Sequence, residues 1–393
     1  MDARLTDEHV QVQETTREFL EGHDGIELAR RMGDGDDGVV DEVWSSMAEL
    51  DFTTITVPFE YGGFGEGLLY LSVLLEELGR YATPGPFPET LAFCVPLIEA
   101  LGDDDQREQQ LSAVVEDDRK LSFALYDDRT DHLPSAIRMD AEPVDDGYRL
   151  SGRKTLVPYA GDADRLVVVA RTGDGEGFDG LSAFVVDPSA AAVDVEVLDS
   201  LDRTRPMYDV AFDDLVVGED AVLGDAGVAG QAVERAIDRY TTAACIMLTG
   251  GADRTVELST QQGTQRTQYG KPVGHFQAVK HRIAEMWIDT EHARSLAYRA
   301  AWALDDPETS GDDAALAVSS AKAFVGENVH RVFGDDIWNQ GGMGYTWEHD
   351  THIYLKQATA WREFLGSPEY HLDRIAELRD YESSPLPGYP ELE

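Results

Sequence analysis

The chain has 393 residues, 42% hydrophobic and 9% aromatic, which suits two or three globular domains and excludes a disordered composition. Its 76 acidic and 32 basic side chains give a formal net charge of −44, which repels nucleic acids and anionic membranes. No apolar run approaches the roughly 18 residues of a membrane helix, and no signal peptide is recognisable. We therefore expect a cytoplasmic protein without nucleic-acid or membrane partners.

The acidic residues are scattered over the whole chain, and only six of the 32 basic residues are lysines. A binding surface for a cationic partner would cluster the acids instead. An acidic coat spread over a globular protein is typical of a high-salt cytoplasm, where counterions screen the self-repulsion. The composition therefore predicts a halophilic protein.

Residues 1–116 are predicted to form an N-terminal helical domain. Its clearest element is the run GLLYLSVLLEELG from Gly67 to Gly79, which is apolar on nearly all sides and predicts a buried helix. Residues 117–226 change to short β-branched runs separated by Gly, Asp and Pro at hairpin spacing. Because no helical stretch intervenes, a middle domain with an antiparallel barrel or sandwich is expected.

Residues 227–381 return to long helical patterns and predict a C-terminal helical bundle. Phe276, Val279, Ile283 and Met286 follow one apolar face of a helix that begins near His275. Residues 382–393 are rich in proline and predict a flexible tail. The fold class is therefore α+β, with a helical domain on either side of a β domain.

The residues by themselves indicate little chemistry. Cys94 and Cys245 lie in apolar runs and are expected to be buried thiols, and no metal site is expected. Arg266 lies at a break before a helix, and Gly341-Gly342 follow an apolar helix. Taken singly, such features are usually a helix-end charge and a turn.

Their order along the chain nevertheless resembles the acyl-CoA dehydrogenase family. Five collinear segments carry the resemblance, and the second and fifth look closest to the pimeloyl and sterol side-chain branch: VPFEYGGFG, DGYRLSGRKTLVPYAGDADRLVVVAR, LDRTRPMYDVAFDDLVV, QRTQYGKPVGHFQAVKHRIAEM and QGGMGYTWEHDTHIYL. The resemblance implies an N-terminal helical domain, a middle β domain and a C-terminal four-helix bundle. It also implies an FAD-dependent enzyme that oxidises the Cα–Cβ bond of an acyl-CoA to a trans-2-enoyl-CoA and passes electrons to an electron-transfer flavoprotein.

The resemblance further implies an FAD site shared between subunits of a dimer or tetramer, homo- or hetero-oligomeric. Arg266 matches an arginine that reaches the FAD pyrophosphate of a neighbouring subunit, and Gly341 and Gly342 match a glycine pair beside the adenosine half. Asp238 matches an aspartate of the acyl-CoA pocket. The other implied FAD contacts are Phe123, Leu125 and Tyr126 in the segment 123–127, then Leu156, Val157, Pro158, Gln268, Tyr269 and Gln277.

The chain departs from the family pattern where the catalytic base should lie. The usual glutamate is Leu365 here, and the earlier helix that carries the base in some members has Tyr240. A tyrosine with a pKa near ~10 is a poor base at neutral pH. Glu363 and Glu369 flank the first position as weak candidates, and solvated helix charges are the simpler interpretation of both.

Two hypotheses follow for the function. The chain is either an active acyl-CoA dehydrogenase with a different base, or a non-catalytic subunit that shares flavin with an active homologue. The substrate's acyl chain is not encoded by any motif.

Overall fold

The computed structural model describes residues 5–23, 25–129 and 133–379. Its N-terminal region, up to residue 118, is helical, as predicted. Capping boxes of Thr6 with His9 and of Asp103 with Gln106 begin the first and last of its helices. The described helices are α1 Asp7–Gly22, α2 Gly25–Gly33, α3 Val39–Ala48, α4 Leu68–Arg80, α5 Val95–Leu101 and α6 Asp104–Glu116.

Helix α4 confirms the prediction for the apolar run from Gly67 to Gly79. All its residues except Leu69 and Tyr70 are buried, because the helix packs against α1, α7 and α8. A π-helical turn at Glu89–Cys94 precedes α5 and is buried throughout. The N-terminal region therefore shares one apolar core with the C-terminal helices.

The middle region contains two sheets. The strands are β1 Leu121–Ala124, β2 Ala141–Val144, β3 Gly147–Pro158, β4 Arg165–Arg171, β5 Leu181–Val186, β6 Val193–Val197 and β7 Met207–Val217. The sheet orders are β1-β4-β5 and β2-β3-β7-β6. Inward side chains of both sheets form one apolar core, so the predicted sandwich describes the region and the predicted barrel does not.

The pairing of β1 corrects the prediction of an antiparallel sheet. β1 runs parallel to β4, with Leu121 beside Arg165, whereas the remaining pairs of these two sheets are antiparallel. The two strands are separated by β2 and β3 of the other sheet, and a parallel pair needs such a long connection. β4 is buried on both faces because helices cover its outer side.

The C-terminal region is helical, with a small hairpin of β8 Thr267–Gln268 and β9 Lys271–Pro272. Its helices are α7 Gly230–Gln265, α8 Gln277–Asp305, α9 Gly311–Phe324, α10 His330–Gln340, α11 Thr351–Glu363 and α12 Pro368–Arg379. A π-helical turn joins α9 to α10, so α7, α8, the α9–α10 rod and α11 form the expected bundle. The predicted tail, 382–393, lies outside the described residues, and the predicted domain boundaries stay predictions.

Candidate active site

Arg266 lies where α7 ends, and its backbone turns to an extended conformation. The β8–β9 hairpin follows at once, and its two turn residues, Tyr269 and Gly270, both have positive φ. This tight turn leaves Gln268 exposed and the Tyr269 side chain 93% exposed. Gln277, at the start of α8, is also exposed. These predicted FAD contacts therefore face outward, away from their own chain.

The structure brings Arg266 and the glycine pair together, although they are far apart in sequence. Arg266 Nη1 donates to the carbonyl oxygen of Gln340 at 3.4 Å. Gly341 has φ +70°, which favours glycine, and its Cβ position would lie 3.7 Å from Arg266 Nη1. No atom of residues 5–23, 25–129 or 133–379 lies within 4 Å of the Cβ position of Gly342. A guanidinium thus stands beside bare, accessible backbone, an arrangement that suits a phosphate group.

The sequence around Arg266 lacks the acidic residues that are frequent in the rest of the chain. No Asp or Glu lies between Glu257 and Glu285, although the chain holds 76 acids. Large apolar side chains are exposed on the β8–β9 hairpin, on α8 and before it, at the end of α10 and in the turn that follows: Tyr269, Phe276, Trp287, Ile288, Trp338, Met343 and Tyr345. The predicted apolar face of α8 is therefore only partly buried within the chain, because Met286 is buried but Phe276 is exposed. We name the surface formed by Arg266, Gly341, Gly342 and these exposed side chains the outer face.

The other half of the predicted FAD site lies inside the molecule. Phe123, Leu125, Tyr126, Val157 and Pro158 are buried, and Leu156 is half-buried with φ +53°. We name these six residues the inner wall.

The inner wall already contacts protein side chains. The Phe123 ring stacks on Phe93 with 4.1 Å between centroids and meets the Tyr240 ring edge-on at 4.9 Å. The Tyr126 hydroxyl accepts a hydrogen bond from the backbone N–H of Leu365 at 3.1 Å. Asp127, which follows the inner wall, pairs with buried Lys154 at 2.7 Å, and burial lowers the pKa of Lys154 to about 8.

Both predicted base positions are buried. Leu365 has φ +63°, and Tyr240 is fully enclosed, which raises its pKa well above the ordinary value. Glu363 and Glu369 lie on the surface, and both pair with Arg362. The structure therefore does not bring either flanking glutamate to the predicted base positions.

A buried carboxylate that the sequence analysis missed lies beside Tyr240. The Tyr240 hydroxyl donates to Glu89 Oε1 at 2.8 Å, and Arg205 Nε donates to the same oxygen at 3.1 Å. Arg205 also donates to the Tyr240 hydroxyl. Among the described residues, Glu89 Oε2 has no hydrogen-bond partner, and burial raises the pKa of Glu89. We name Glu89, Arg205 and Tyr240 the buried triad; its only signal in the sequence is a charged residue within an apolar context at position 89.

Asp238, the predicted substrate contact, lies on α7 in a small cavity that Leu365 also lines. Its carboxylate accepts two hydrogen bonds from Arg374, at 2.6 and 3.0 Å. Burial raises the pKa of Asp238, and Arg374 opposes this effect. The structure thus brings Asp238 close to one predicted base position, but within an ion pair.

Two family models match the chain. "Acyl-CoA dehydrogenase, N-terminal domain" matches residues 6–118, and "Acyl-CoA dehydrogenase, C-terminal domain" matches residues 229–378. Together with the helix–sheet–helix order, these matches define a class of oxidoreductases. The chain belongs to the acyl-CoA dehydrogenase family.

Relatives match over nearly the full length. The glutaryl-CoA dehydrogenase of Desulfococcus multivorans is 26% identical over 373 residues, 93% of this chain and 95% of that protein. The solved FAD complex of PigA has a TM-score of 0.88 at 22% identity and covers 98% of this chain and 100% of its own. The ChsE4-ChsE5 complex from Mycobacterium tuberculosis has a TM-score of 0.86 at 23% identity, with the same coverage. At these identities the two structures establish the fold alone.

Proposed function

We propose that the chain is a subunit of an FAD-dependent acyl-CoA dehydrogenase, in which it supplies the outer face to FAD bound mainly by a neighbouring, different subunit. The observation that carries this proposal is the exposed Arg266 guanidinium beside Gly341 and Gly342. The acid-free stretch around Arg266 supports this proposal. The acidic residues elsewhere in the chain would repel a diphosphate, and this stretch contains none. Similarity to a complex of two named components supports a hetero-oligomer.

The two halves of the predicted site fit FAD differently. On the outer face, the planar fork of Arg266 suits phosphate oxygens, and a residue without a side chain lets a nucleotide approach the backbone. On the inner wall, Phe123 and Tyr126 are already in contact with Tyr240 and Leu365. The outer face therefore fits the diphosphate and adenosine parts of FAD. The inner wall is already in contact with protein side chains, so the flavin ring is bound by the neighbouring subunit.

The reaction proposed for the assembly is oxidation of the Cα–Cβ bond of an acyl-CoA to a trans-2-enoyl-CoA, with electrons passing to an electron-transfer flavoprotein. FAD, when bound, supplies the hydride acceptor that no amino-acid side chain provides. In this chain, Arg266 holds and orients the diphosphate, and the apolar side chains of the outer face exclude water at the subunit contact. Since neither Leu365 nor Tyr240 can accept the α proton at neutral pH, that base belongs to the neighbouring subunit.

A second candidate is a self-sufficient dehydrogenase, and the position of Glu89 favours it. This carboxylate lies 2.8 Å from the Tyr240 hydroxyl, and one of its oxygens has no hydrogen-bond partner in the part of the chain that the structure describes. Its ion pair with Arg205 opposes such a role, because a nearby positive charge lowers the basicity of a carboxylate. Under this second hypothesis Glu89→Gln abolishes flavin reduction by acyl-CoA, and under the first it does not.

The proposed role of Arg266 can be tested by flavin retention in the assembly that forms around the tagged chain, purified from its natural host in molar KCl. Arg266→Ala removes the phosphate partner and should lose most of the flavin. Arg266→Lys keeps the charge but not the fork and should retain an intermediate amount. Arg331→Ala is the matched control, since Arg331 is exposed on neighbouring α10 and pairs with Asp289. Full flavin content in Arg266→Ala, or a wild-type assembly without flavin, would overturn the proposal.

A further inference from the structure

We propose that the Arg205 side chain occupies the space beside the inner wall where a flavin ring of this chain's own would lie. The chain then contacts a neighbour's FAD through its outer face but binds no flavin ring itself. The inference rests on the proposed function, because it explains why only the outer face is available. It makes Arg205 a residue that determines which subunit of the assembly carries the ring.

The Arg205 guanidinium lies beside Tyr240, one predicted base position, and beside Phe364, which precedes the other. It is 3% exposed, and its central carbon lies 4.7 Å from the Trp361 ring centroid and 4.8 Å from that of Phe364. The Tyr240 ring lies 5.7 Å away on a further side. Three aromatic rings and the Glu89 carboxylate therefore surround the guanidinium.

Two of the three rings around Arg205, those of Tyr240 and Phe364, also contact the inner wall. Phe123 meets Tyr240 with 4.9 Å between centroids, and Tyr126 meets Phe364 at 5.7 Å. A flat ring held between two walls needs them about 7 Å apart, twice the usual ~3.5 Å contact distance between carbon atoms. No isoalloxazine ring fits between Phe123 and Tyr240, or between Tyr126 and Phe364, while Arg205 holds Tyr240 and Phe364 in these positions.

The buried triad joins all three regions of the chain. Glu89 lies in the N-terminal region, Arg205 in the loop before β7, and Tyr240 on α7. Simple filling of the space would not require charge, because a well-packed apolar side chain is usually at least as stabilising as a buried ion pair. Directional bonds to Glu89 and Tyr240 hold the guanidinium in one position, which is what exclusion of a ligand requires.

The direct test counts the FAD released on denaturation per copy of the wild-type chain. The purified chain alone, incubated with FAD in molar KCl and desalted, should retain none. In its assembly with a different subunit, the count should be one FAD for every two chains. One FAD per copy of this chain would overturn the inference, even if Arg266→Ala still lost flavin and the proposed function stood. Conversely, an assembly without any FAD would overturn the proposed function. It would still agree with the inference that this chain binds no flavin ring.

The role of Arg205 itself can be tested with the double substitution Arg205→Ser and Glu89→Gln. It removes both charges together, so that neither is left buried and unpaired, and the amide introduced by Glu89→Gln can still accept from Tyr240. The matched control is Arg203→Ser in the same loop, where the side chain is 63% exposed. A folded double variant should retain FAD with quenched flavin fluorescence when purified alone, whereas Arg203→Ser should match the wild type. A folded double variant that retains no FAD would overturn the assignment to Arg205.

Discussion

Lys322 is a buried cation that donates hydrogen bonds to backbone carbonyl groups. Its ammonium donates to the carbonyl oxygens of Trp361 at 2.7 Å and of Arg362 at 3.0 Å, at the end of α11. These carbonyls lack partners within their own helix, so Lys322 satisfies them. Burial lowers the pKa of Lys322 from 10.5 to about 8.

This pKa shift predicts how stability depends on pH. Between pH 8 and 10.5 the unfolded chain holds the Lys322 proton that the folded chain has lost, so this contribution to the free energy of unfolding rises with pH. The full gain is on the order of 3 kcal/mol. The measurement is denaturant unfolding of wild type and Lys322→Met at several pH values in molar KCl. Other titrating groups cancel in the difference, and an equal pH slope in both proteins would contradict the prediction.

At the residue scale, the resemblance assigns the two base positions to Leu365 and Tyr240, and this assignment stays a prediction. The resemblance also identifies Arg266 and the glycine pair, which the structure brings together. The buried triad cannot be predicted in the same way. Glu89 and Arg205 are separated by 116 positions, and only the packing of three regions makes them neighbours.

At the element scale, α4 and α7 cross with their backbones in contact. A Cβ at Gly79 would lie 1.9 Å from the carbonyl oxygen of Met247, and a Cβ at Gly250 would lie 1.9 Å from that of Glu76. Real side chains never approach so closely, so glycine is required on both helices. Gly79 looks like a helix end in the sequence, but α4 continues through it to Arg80.

This crossing predicts opposite effects for two glycine-to-alanine substitutions. Gly250→Ala forces the helices apart and should lower the free energy of unfolding by about 1–3 kcal/mol or more. Gly334→Ala is the control: Gly334 is inside α10 with nothing within 4 Å of its Cβ position, so alanine should raise stability by about 0.5–1 kcal/mol. Both are measured by denaturant unfolding in molar KCl. A neutral Gly250→Ala would show that the helices can separate without cost.

Other elements show why sequence patterns predict local structure better than assembly. The β-branched runs correctly indicate a middle β region, because alternation is a property of each strand. The parallel pairing of β1 with β4 depends instead on a contact between distant segments. The sequence period likewise predicts the apolar face of α8 correctly. The period does not tell whether this face packs against the same chain or against another.

At the scale of the whole molecule, the net charge of −44 predicts that stability requires salt. The Debye length grows from ~3 Å at 1 M to ~10 Å at 0.1 M salt, so dilution exposes the repulsion among surface carboxylates. The melting temperature should therefore fall steadily as KCl is lowered, and sucrose should not replace the salt. A melting temperature that stays constant or rises on dilution would contradict the halophilic interpretation.

Within residues 5–23, 25–129 and 133–379, no helix combines the length and apolarity needed to cross a bilayer. The predicted cytoplasmic location stays a prediction. Under the proposed function, the exposed aromatic side chains of the outer face contact the neighbouring subunit.

The division of labour between this chain and a neighbouring subunit is tested most directly by anaerobic reduction of flavin with a panel of saturated acyl-CoAs. The experiment compares the chain alone, supplied with FAD, and the assembly purified from its natural host, both in molar KCl. Because the chain has no carboxylate at Leu365 or Tyr240 and its inner wall is closed, it should give no flavin bleaching alone. The assembly should bleach with at least one acyl-CoA. Rapid bleaching by the chain alone would contradict this division of labour and would make Glu89→Gln the first variant to examine.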